Sequence, residues 1–414
     1  MNTYFERYAY PITLFKDTPA ADLKISIVIP CFNEPDLLRA LNSLNNCTPI
    51  KSAEVIVIVN EPEECPDEIR EQNIETIKIT SEWGSNTTLN YKLHIYHLRA
   101  SNKEAGVGMA RKVGMDEAAR RFEAIGRKNG VICCFDADST CEANYLQEVS
   151  RNFLETNKPP IGASIYYQHT LPRDNNMKEG IIQYELHLRY YVQALRWINY
   201  PFAHQTIGSS MVVRADIYQK VGGMNKRKAG EDFYFLHRVM PMGNYLDITS
   251  TTIYPSPRVS TRVPFGTGKA MEKWQREHPG RLYTYNLSSF HDLGEFLACN
   301  DQFFQVEGAQ LAQVIKSLPE SIKSYLRHIS FKRSLKRINQ QSNSVASFKK
   351  NWFLFFDGFM VLKYLHFARD YFYPNQPVVE QAKQLVTDLW PDSSVSKSGT
   401  LDILNFYRLK DKSI

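Results

Sequence analysis

The chain has 414 residues, of which 43% are hydrophobic and 23% charged, a composition typical of globular proteins that excludes disordered, collagen-like and disulfide-rich classes. This length exceeds one ordinary domain, so two domains, or one large domain with an appendage, are expected. The net charge of +6 is modest for 47.8 kDa and gives no indication of nucleic-acid binding. The whole surplus lies from Asp301 onward, where 16 Lys and Arg stand against 10 Asp and Glu.

The beginning of the chain shows no regular pattern, and residues 1–22 are predicted to form an arm. The opening residues MNTYFERYAY lack the apolar core of a signal peptide. The best membrane candidate, residues 352–367, contains Asp357 and Lys363 and is shorter than the ~20 apolar residues of a spanning helix. Seven cysteines without a C-x-x-C pair indicate reduced thiols. We therefore expect a cytoplasmic protein, with peripheral membrane contact through its C-terminal helices left open.

Residues 23–290 alternate between apolar β-branched runs and helical periodicity. Strands are predicted over 24–30, 54–59, 93–98, 131–135, 161–167 and 208–213. Helices are predicted over 34–44, 108–122, 144–153, 176–197 and 231–239. Such alternation favours an α/β fold with a Rossmann-like, mostly parallel sheet and helices on both faces.

From about residue 293 the strand pattern stops, and residues 291–414 are predicted to form a helical C-terminal region. The expected helices are 293–298, 309–317, 322–338, 348–372 and 378–390. The predicted domains are therefore the arm 1–22, an α/β domain 23–290 and the helical region 291–414.

Polar side chains follow three of the predicted strands. Asn33 and Glu34 follow the first, Asn60 and Glu61 the second, and the Asp136-Ala137-Asp138 motif the fourth. Ligands of open parallel sheets bind at the carboxyl ends of strands, so these ends predict the site.

The two carboxylates of Asp136 and Asp138 are the strongest chemical signal. Hard divalent cations bind oxygen ligands and keep positions open for phosphate oxygens. Such a metal neutralises the charge that develops on a diphosphate leaving group. The alternative is a run of helix-capping residues.

A second acidic pair, Glu231-Asp232, opens the helix predicted over 231–239. A carboxylate at a helix N-terminus is stabilised as the anion, the form that a general base requires. Ordinary helix capping is the alternative.

Basic side chains supply candidate contacts to a diphosphate or an acidic acceptor. Arg258 and Arg262 lie four residues apart, ahead of Gly266-Thr267-Gly268-Lys269, and a solvated loop is the alternative. Arg111 follows two glycines in KEAGVGMARK and is placed to reach a ligand. The dinucleotide fingerprint G-x-G-x-x-G is absent, which disfavours a nicotinamide cofactor.

The segments KISIVIPCFNE, EVIVIVNE, GVGMARKVGMDEA, VICCFDADST and GEDFYFLHRV, in this order over about residues 24–239, resemble family 2 glycosyltransferases of the GT-A fold. The resemblance implies that Asp136 and Asp138 hold Mn²⁺ or Mg²⁺, with Asp138 the direct ligand. It implies a catalytic role for Glu231 and Asp232, with Asp232 the base. The resemblance implies that Pro30, Phe32, Asn33 and Glu34 hold the nucleotide base. The expected donor-binding set also includes Asn60, Arg111 and Asp136, together with Arg258 and Arg262 from the basic pattern above.

The function that the resemblance implies is metal-dependent transfer of one sugar from a nucleoside-diphosphate sugar to an acceptor hydroxyl, with inversion, by a hexosyltransferase-type enzyme. The acceptor class stays open between a glycan, a lipid-linked and a small-molecule acceptor. The Q-x-x-R-W motif of processive synthases is absent, which favours single transfer. The alternatives are a retaining glycosyltransferase of the same fold, a sugar nucleotidyltransferase and a non-catalytic binding protein.

The resemblance does not extend to the C-terminal helices. Lys332, Arg333, Lys336 and Arg337 form a basic cluster there, interleaved with apolar residues. This pattern suits an anionic membrane surface, an acidic acceptor or a solvated helix face.

Overall fold

The computed structural model describes residues 3–50, 52–260, 262, 265–277 and 280–413. The strands are β1 Ile25–Cys31, β2 Ala53–Pro62, β3 Lys92–Ala100, β4 Val131–Cys134, β5 Thr140–Cys141, β6 Gly162–Tyr167, β7 Met211–Arg214, β8 Tyr245–Tyr254, β9 Tyr283–Thr284 and β10 Gln376–Pro377. The helices up to residue 277 are α1 Thr3–Arg7, α2 Leu37–Asn45, α3 Asp67–Asn86, α4 Val107–Ala124, α5 Tyr145–Leu154, α6 Asn175–Trp197, α7 Ala215–Lys220, α8 Glu231–Val239 and α9 Thr267–Glu277. The helices beyond it are α10 Leu287–Ala298, α11 Gly308–Ser317, α12 Glu320–His328, α13 Phe331–Gln340, α14 Val345–Phe355, α15 Gly358–Tyr371, α16 Val378–Leu389 and α17 Thr400–Lys412.

Eight strands form one sheet in the order β3-β2-β1-β4-β7-β6-β8-β5. The pairs β1–β2, β2–β3, β1–β4 and β6–β8 are parallel, and β7 and β5 pair with their neighbours in antiparallel orientation. The predicted α/β fold with a mostly parallel sheet is therefore confirmed, as is the helical C-terminal region.

The two faces of the sheet are covered by different helices. Alternate residues of β1, such as Ile27 and Ile29, pack in one apolar core with residues of α2 and α5. Val28 faces α4 on the other side, where Gly114 lets the helix approach, since a Cβ there would lie 2.4 Å from Cγ1 of Val28. This close packing fixes α4, and with it Arg111, against the strands.

The N-terminal segment packs against α4 through Asp116. The carboxylate of Asp116 accepts hydrogen bonds from the hydroxyls of Tyr4, at 2.5 Å, and Tyr218, at 2.7 Å, and from the backbone N–H of Tyr10, at 2.7 Å. Nζ of Lys112 lies 2.9 Å from the same carboxylate. Asp116 is fully buried, so these four donors supply the hydrogen bonds that a buried carboxylate needs.

The chain divides into two compact units. The first contains residues 1–181, 206–278 and 410–414, and the second contains residues 182–205 and 279–409. The core of the second unit is aromatic, with Trp352 stacked on Phe303 at a centroid distance of 5.1 Å. The domain boundaries expected at residues 22 and 290 stay predictions. Within the described residues, no helix is long and apolar enough to cross a membrane.

The helical region differs in detail from the prediction. The single helix expected over 322–338 is two helices, α12 and α13, separated by Ser330, whose φ of 53° interrupts the helical path. The helix expected over 348–372 is also divided into two helices, α14 and α15. Asp357 caps α15 by accepting from the backbone N–H of Met360. The expectation that strands end before residue 293 was wrong, because β10 pairs with β9.

Candidate functional site

The site is built at the carboxyl ends of β1 and β4, which are adjacent and parallel. The turn after β1 carries Glu34, and the turn after β4 carries Asp136 and Asp138. Helices α4 and α8 contribute Arg111 and Glu231, and the segment after β8 contributes Arg258 and Arg262. These side chains belong to one compact unit and are linked by ion pairs.

Arg111 joins the two acidic pairs. Its Nη2 donates to Oδ1 of Asp136 at 2.5 Å, and its Nη1 donates to Oε1 of Glu231. The guanidinium is buried, and the surrounding carboxylates outweigh the effect of burial and raise the pKa of Arg111. Because both terminal nitrogens are engaged inside the protein, Arg111 holds the acidic pairs in place.

A second ion-pair group surrounds Glu34. This buried carboxylate accepts from Nη1 of Arg258 and Nη1 of Arg262, both at 2.9 Å, and from Nη2 of Arg258. The same Nη2 lies 2.9 Å from Oδ2 of Asp138. Burial alone would raise the pKa of Glu34, but the hydrogen bonds from the two arginines outweigh it and lower the pKa. Arg258 therefore connects the turn after β1 to the second carboxylate of the D-A-D motif.

Helix α3 supports the turn after β1. Asn73 accepts from the backbone N–H of Asn33 at 2.9 Å, and the hydroxyl of Thr76 donates to the backbone carbonyl of Glu34 at 2.9 Å. Asn33 has a φ of 49°, so the turn is sharp, and Pro30 and Phe32 beside it are half-buried. These contacts fix the segment that was predicted to hold a nucleotide base.

The two polar residues at the end of β2 differ in their contacts. Glu61 pairs with Arg70, at 3.1 Å, and with His97, at 3.1 Å. Asn60 is buried, and its side-chain oxygen has no hydrogen-bond partner in the described part of the chain. Asn60 thus has a buried, unsatisfied acceptor, whereas Glu61 is committed to internal contacts.

The second acidic pair lies in the first turn of α8, after Gly230 with a φ of 68°. Glu231 is buried against Arg111, whereas Asp232 is half-buried and accepts from the backbone N–H of Phe233 at 2.7 Å. Burial, opposed by Arg111, raises the pKa of Glu231 to about 7, and burial likewise raises the pKa of Asp232.

The site carries more negative than positive groups. Five carboxylates face three arginines: Glu34, Asp136, Asp138, Glu231 and Asp232 against Arg111, Arg258 and Arg262. Burial and then the charge of Asp136 raise the pKa of Asp138 to about 6, despite Arg258. The excess of two carboxylates equals the charge of one divalent cation.

The donor set fits such a cation. Asp136 and Asp138 supply hard carboxylate oxygens and are both partly exposed, with 34% and 28% of their side-chain surfaces accessible. No group of three His, Cys, Asp or Glu side chains able to hold a metal occurs among the residues that the structure describes.

The glycine-flanked element Gly266-Thr267-Gly268-Lys269 is the start of α9. The hydroxyl of Thr267 is hydrogen-bonded to Nε2 of His169 at 3.1 Å, and Nζ of Lys269 pairs with Glu272 at 2.7 Å. Both side chains are therefore held by residues outside the ion-pair network of the site.

The prediction from sequence included the charged residues of the site but missed several that position them. Asn73 and Thr76 lie in a helix without an apolar stripe, and Gly208 lies beside Arg111. For Gly208, the sequence signal was the small-residue run Gly208-Ser209-Ser210, since small residues allow other groups to pack closely against the backbone.

The mostly parallel sheet flanked by helices is a fold of the GT-A type. The family model "Glycosyl transferase family 2" matches residues 26–222, and the model "Glycosyl transferase family group 2" matches residues 131–333. These two matches identify a family 2 glycosyltransferase domain within residues 26–333, which confirms the predicted enzyme class. No curated protein matches the chain significantly in sequence.

Among solved structures, the chain is similar to S. aureus TarS 1–349 in complex with UDP-GlcNAc, with 14% identity, a TM-score of 0.39 and coverage of 94% of this chain and 91% of that chain. It is also similar to glucosyl-3-phosphoglycerate synthase from Mycobacterium tuberculosis in complex with Mn²⁺, UDP and glucosyl-3-phosphoglycerate. That match has 14% identity, a TM-score of 0.34 and coverage of 64% and 85%.

Proposed function

We propose that this glycosyltransferase moves one hexosyl group from a nucleoside-diphosphate sugar to an acceptor hydroxyl, with a divalent cation and with inversion. The observation that carries the proposal is the guanidinium of Arg111, which contacts both Asp136 and Glu231. Through these contacts, the Asp136-Asp138 pair, which suits a metal and a diphosphate, lies next to the Glu231-Asp232 pair, which suits proton transfer.

The donor is proposed to lie along the carboxyl ends of β1, β2 and β4. The fixed turn Phe32-Asn33-Glu34, with Pro30 before it, would hold the nucleotide base, and the unpaired amide oxygen of Asn60 would accept from it. Arg258 and Arg262 are each partly exposed and already near Asp138, so they are placed to contact the diphosphate. Arg111, also expected to contact the donor, holds Asp136 and Glu231 through its terminal nitrogens.

Asp136 and Asp138 are proposed to hold Mn²⁺ or Mg²⁺, with Asp138 the direct ligand. When bound, the ion supplies Lewis-acid neutralisation of the diphosphate leaving group. The chain's own contribution is to place the two carboxylates: Arg111 orients Asp136, and Arg258 orients Asp138.

Asp232 is the proposed general base. Glu231 is held by Arg111, whereas Asp232 is half-buried and accepts from the backbone N–H of Phe233. A carboxylate with a raised pKa accepts a proton more readily than an ordinary one, provided that it is ionised at the working pH. Deprotonation of the acceptor hydroxyl by Asp232 drives its attack on the anomeric carbon from the face opposite the diphosphate, which inverts the configuration.

The experiment measures donor binding and transfer separately in three variants. Asp232→Asn should lower kcat by about 10²–10⁴-fold with little change in donor affinity. Asp138→Ala should lose metal-dependent donor binding. Asp216→Asn, on α7 outside the network of the site, is the control and should retain both. Full turnover by Asp232→Asn would remove Asp232 from the base role, and unchanged donor affinity in Asp138→Ala would remove the metal assignment.

Product analysis separates the remaining candidate reactions. A screen of nucleotide sugars with Mn²⁺ or Mg²⁺, beginning with UDP-GlcNAc and UDP-glucose, identifies the donor. Release of a nucleoside diphosphate is expected, whereas release of pyrophosphate would indicate a sugar nucleotidyltransferase. A product anomer opposite to that of the donor is expected, and the same anomer would indicate a retaining enzyme.

A further inference from the structure

Helix α13 of the second unit has two chemically distinct faces. Phe331, Leu335 and Ile338 are almost completely buried in the aromatic core. The four basic residues predicted as a cluster, Lys332, Arg333, Lys336 and Arg337, are all exposed on the opposite side. We call this set the α13 basic face. Because the apolar face is already used by the core, the helix is anchored in the protein and presents only charge outward.

The four cations of the α13 basic face lack acidic partners. No carboxylate of the described residues lies within 4 Å of any of them, whereas some other lysines of the same unit are paired. Lys323 lies 2.9 Å from Glu320, and Lys349 lies 2.9 Å from Asp301. Four uncompensated cations over about one and a half turns of helix repel one another, which costs stability unless an anionic partner is present.

We propose that the α13 basic face binds an anionic lipid surface. Clusters of four or more Lys and Arg on an amphipathic helix are the usual means of contacting acidic headgroups. The four cations share one exposed helix face, so they can contact the same anionic surface together. The proposal concerns binding alone and does not depend on the proposed sugar-transfer chemistry.

The neighbouring helix favours lipid over a soluble polyanion. Helix α14 contacts α13 and carries Leu354, a large apolar residue that is exposed and lies four residues after Lys350, on the same side of the helix. It also carries Lys350, which is exposed and without a carboxylate partner among the described residues. Apolar side chains gain from the interface of a bilayer, whereas they gain nothing from a phosphate polymer or a nucleic acid.

The test is co-sedimentation of the full chain with vesicles. Vesicles of phosphatidylcholine with about 30% phosphatidylglycerol should bind the protein, and pure phosphatidylcholine vesicles should not. Binding should weaken strongly when the salt is raised from about 0.1 M to about 1 M, because screening shortens the range of the attraction.

The decisive variant replaces Lys332, Arg333, Lys336 and Arg337 with Gln. Its vesicle affinity should fall by between about tenfold and about a thousandfold. The matched control replaces four exposed lysines elsewhere with Gln, which gives the same change in net charge, and should keep most of the vesicle affinity. These lysines are Lys16, Lys128, Lys158 and Lys220. Thermal unfolding of both variants checks that they are folded.

Equal loss of vesicle binding in the two variants would overturn the proposal, because it would assign the effect to net charge alone. Unchanged binding of the α13 variant would overturn it as well. A third outcome would also overturn the proposal: the parent chain binds soluble inorganic polyphosphate but does not bind vesicles. That result would assign the α13 basic face to a soluble polyanionic ligand.

Discussion

Gly208 lies so close to Arg111 that a Cβ on the glycine would be 2.4 Å from Nη1 and 2.5 Å from Nη2 of the guanidinium. The short helical turn before β7 therefore forms one wall of the space in which the guanidinium lies. The contacts of Arg111 with Asp136 and Glu231 depend on this missing side chain.

Gly208→Ala should displace Arg111 and separate the two acidic pairs. We expect kcat for sugar transfer to fall by about 10²-fold, because small displacements of positioned groups have effects of this size. Stability should fall by about 1–3 kcal/mol from overpacking. The control is Gly399→Ala, where the added Cβ meets nothing closer than 3.8 Å. A fully active, equally stable Gly208→Ala enzyme would contradict this role of the glycine.

Cation binding should depend on pH through Asp138. The pKa of this carboxyl is raised to about 6 by burial and by Asp136, so a proton competes with the cation as the pH falls through that value. Affinity for Mn²⁺ should therefore drop by up to about tenfold per pH unit below about 6.

This pH dependence can be measured without turnover, by the rise in melting temperature that Mn²⁺ produces at pH values on either side of the pKa. Asp138→Asn should lose the Mn²⁺-dependent rise at every pH. A constant rise across the range in the parent chain would show that Asp138 does not hold the ion.

Glu34→Gln should destabilise the protein. The substitution removes the negative charge that compensates Arg258 and Arg262 but keeps the shape of the side chain, so about 1–3 kcal/mol should be lost. Because the pKa of Glu34 is lowered, its stabilising effect is present above the ordinary glutamate range and is lost as the pH falls through the folded-state pKa. Urea unfolding at neutral and acidic pH measures both effects. Glu68→Gln, at an exposed position of α3, should change little.

Tyr4→Phe should show that the N-terminal segment contributes to the stability of the first unit. The change removes one of the hydroxyl donors of Asp116 inside a buried network, which costs about 1–2 kcal/mol. Tyr8→Phe is the control, since Tyr8 is 57% exposed. Equal melting temperatures for the two variants would mean that the contact of Tyr4 with Asp116 adds nothing.

Much of the fold was predictable because the central strands are buried on both faces. The strands β1, β2 and β4 contain the apolar runs 27–29, 55–59 and 131–134, and the helix predicted over 231–239 is α8 as observed. Helix α3 was missed because its buried residues are the polar Asn73, Thr76 and Thr80, which give no apolar period. Strand β8, YLDITSTTIY, was missed because most of its middle residues are polar.

The residues of the site were predictable, but their pairing was not. Two carboxylates after a strand and two at a helix start are local patterns. The contact of Arg258 with Glu34 joins residues far apart in the chain, and sequence spacing carries no information about it. Arg258 and Arg262 were predicted as ligand contacts, and the structure adds that they are first held by a buried carboxylate.

The network around Asp116 also constrains the order of events during synthesis. Tyr4 precedes Asp116 by 112 residues, and Tyr218 follows Asp116 by 102. At ribosomal rates of about 5–20 residues per second, Tyr4 is synthesised roughly 6–20 s before Asp116. Asp116 in turn precedes Tyr218 by a similar time. Tyr4 is thus synthesised well before Asp116 and Tyr218, and its native hydrogen bond must wait until the segment that carries Asp116 has been synthesised.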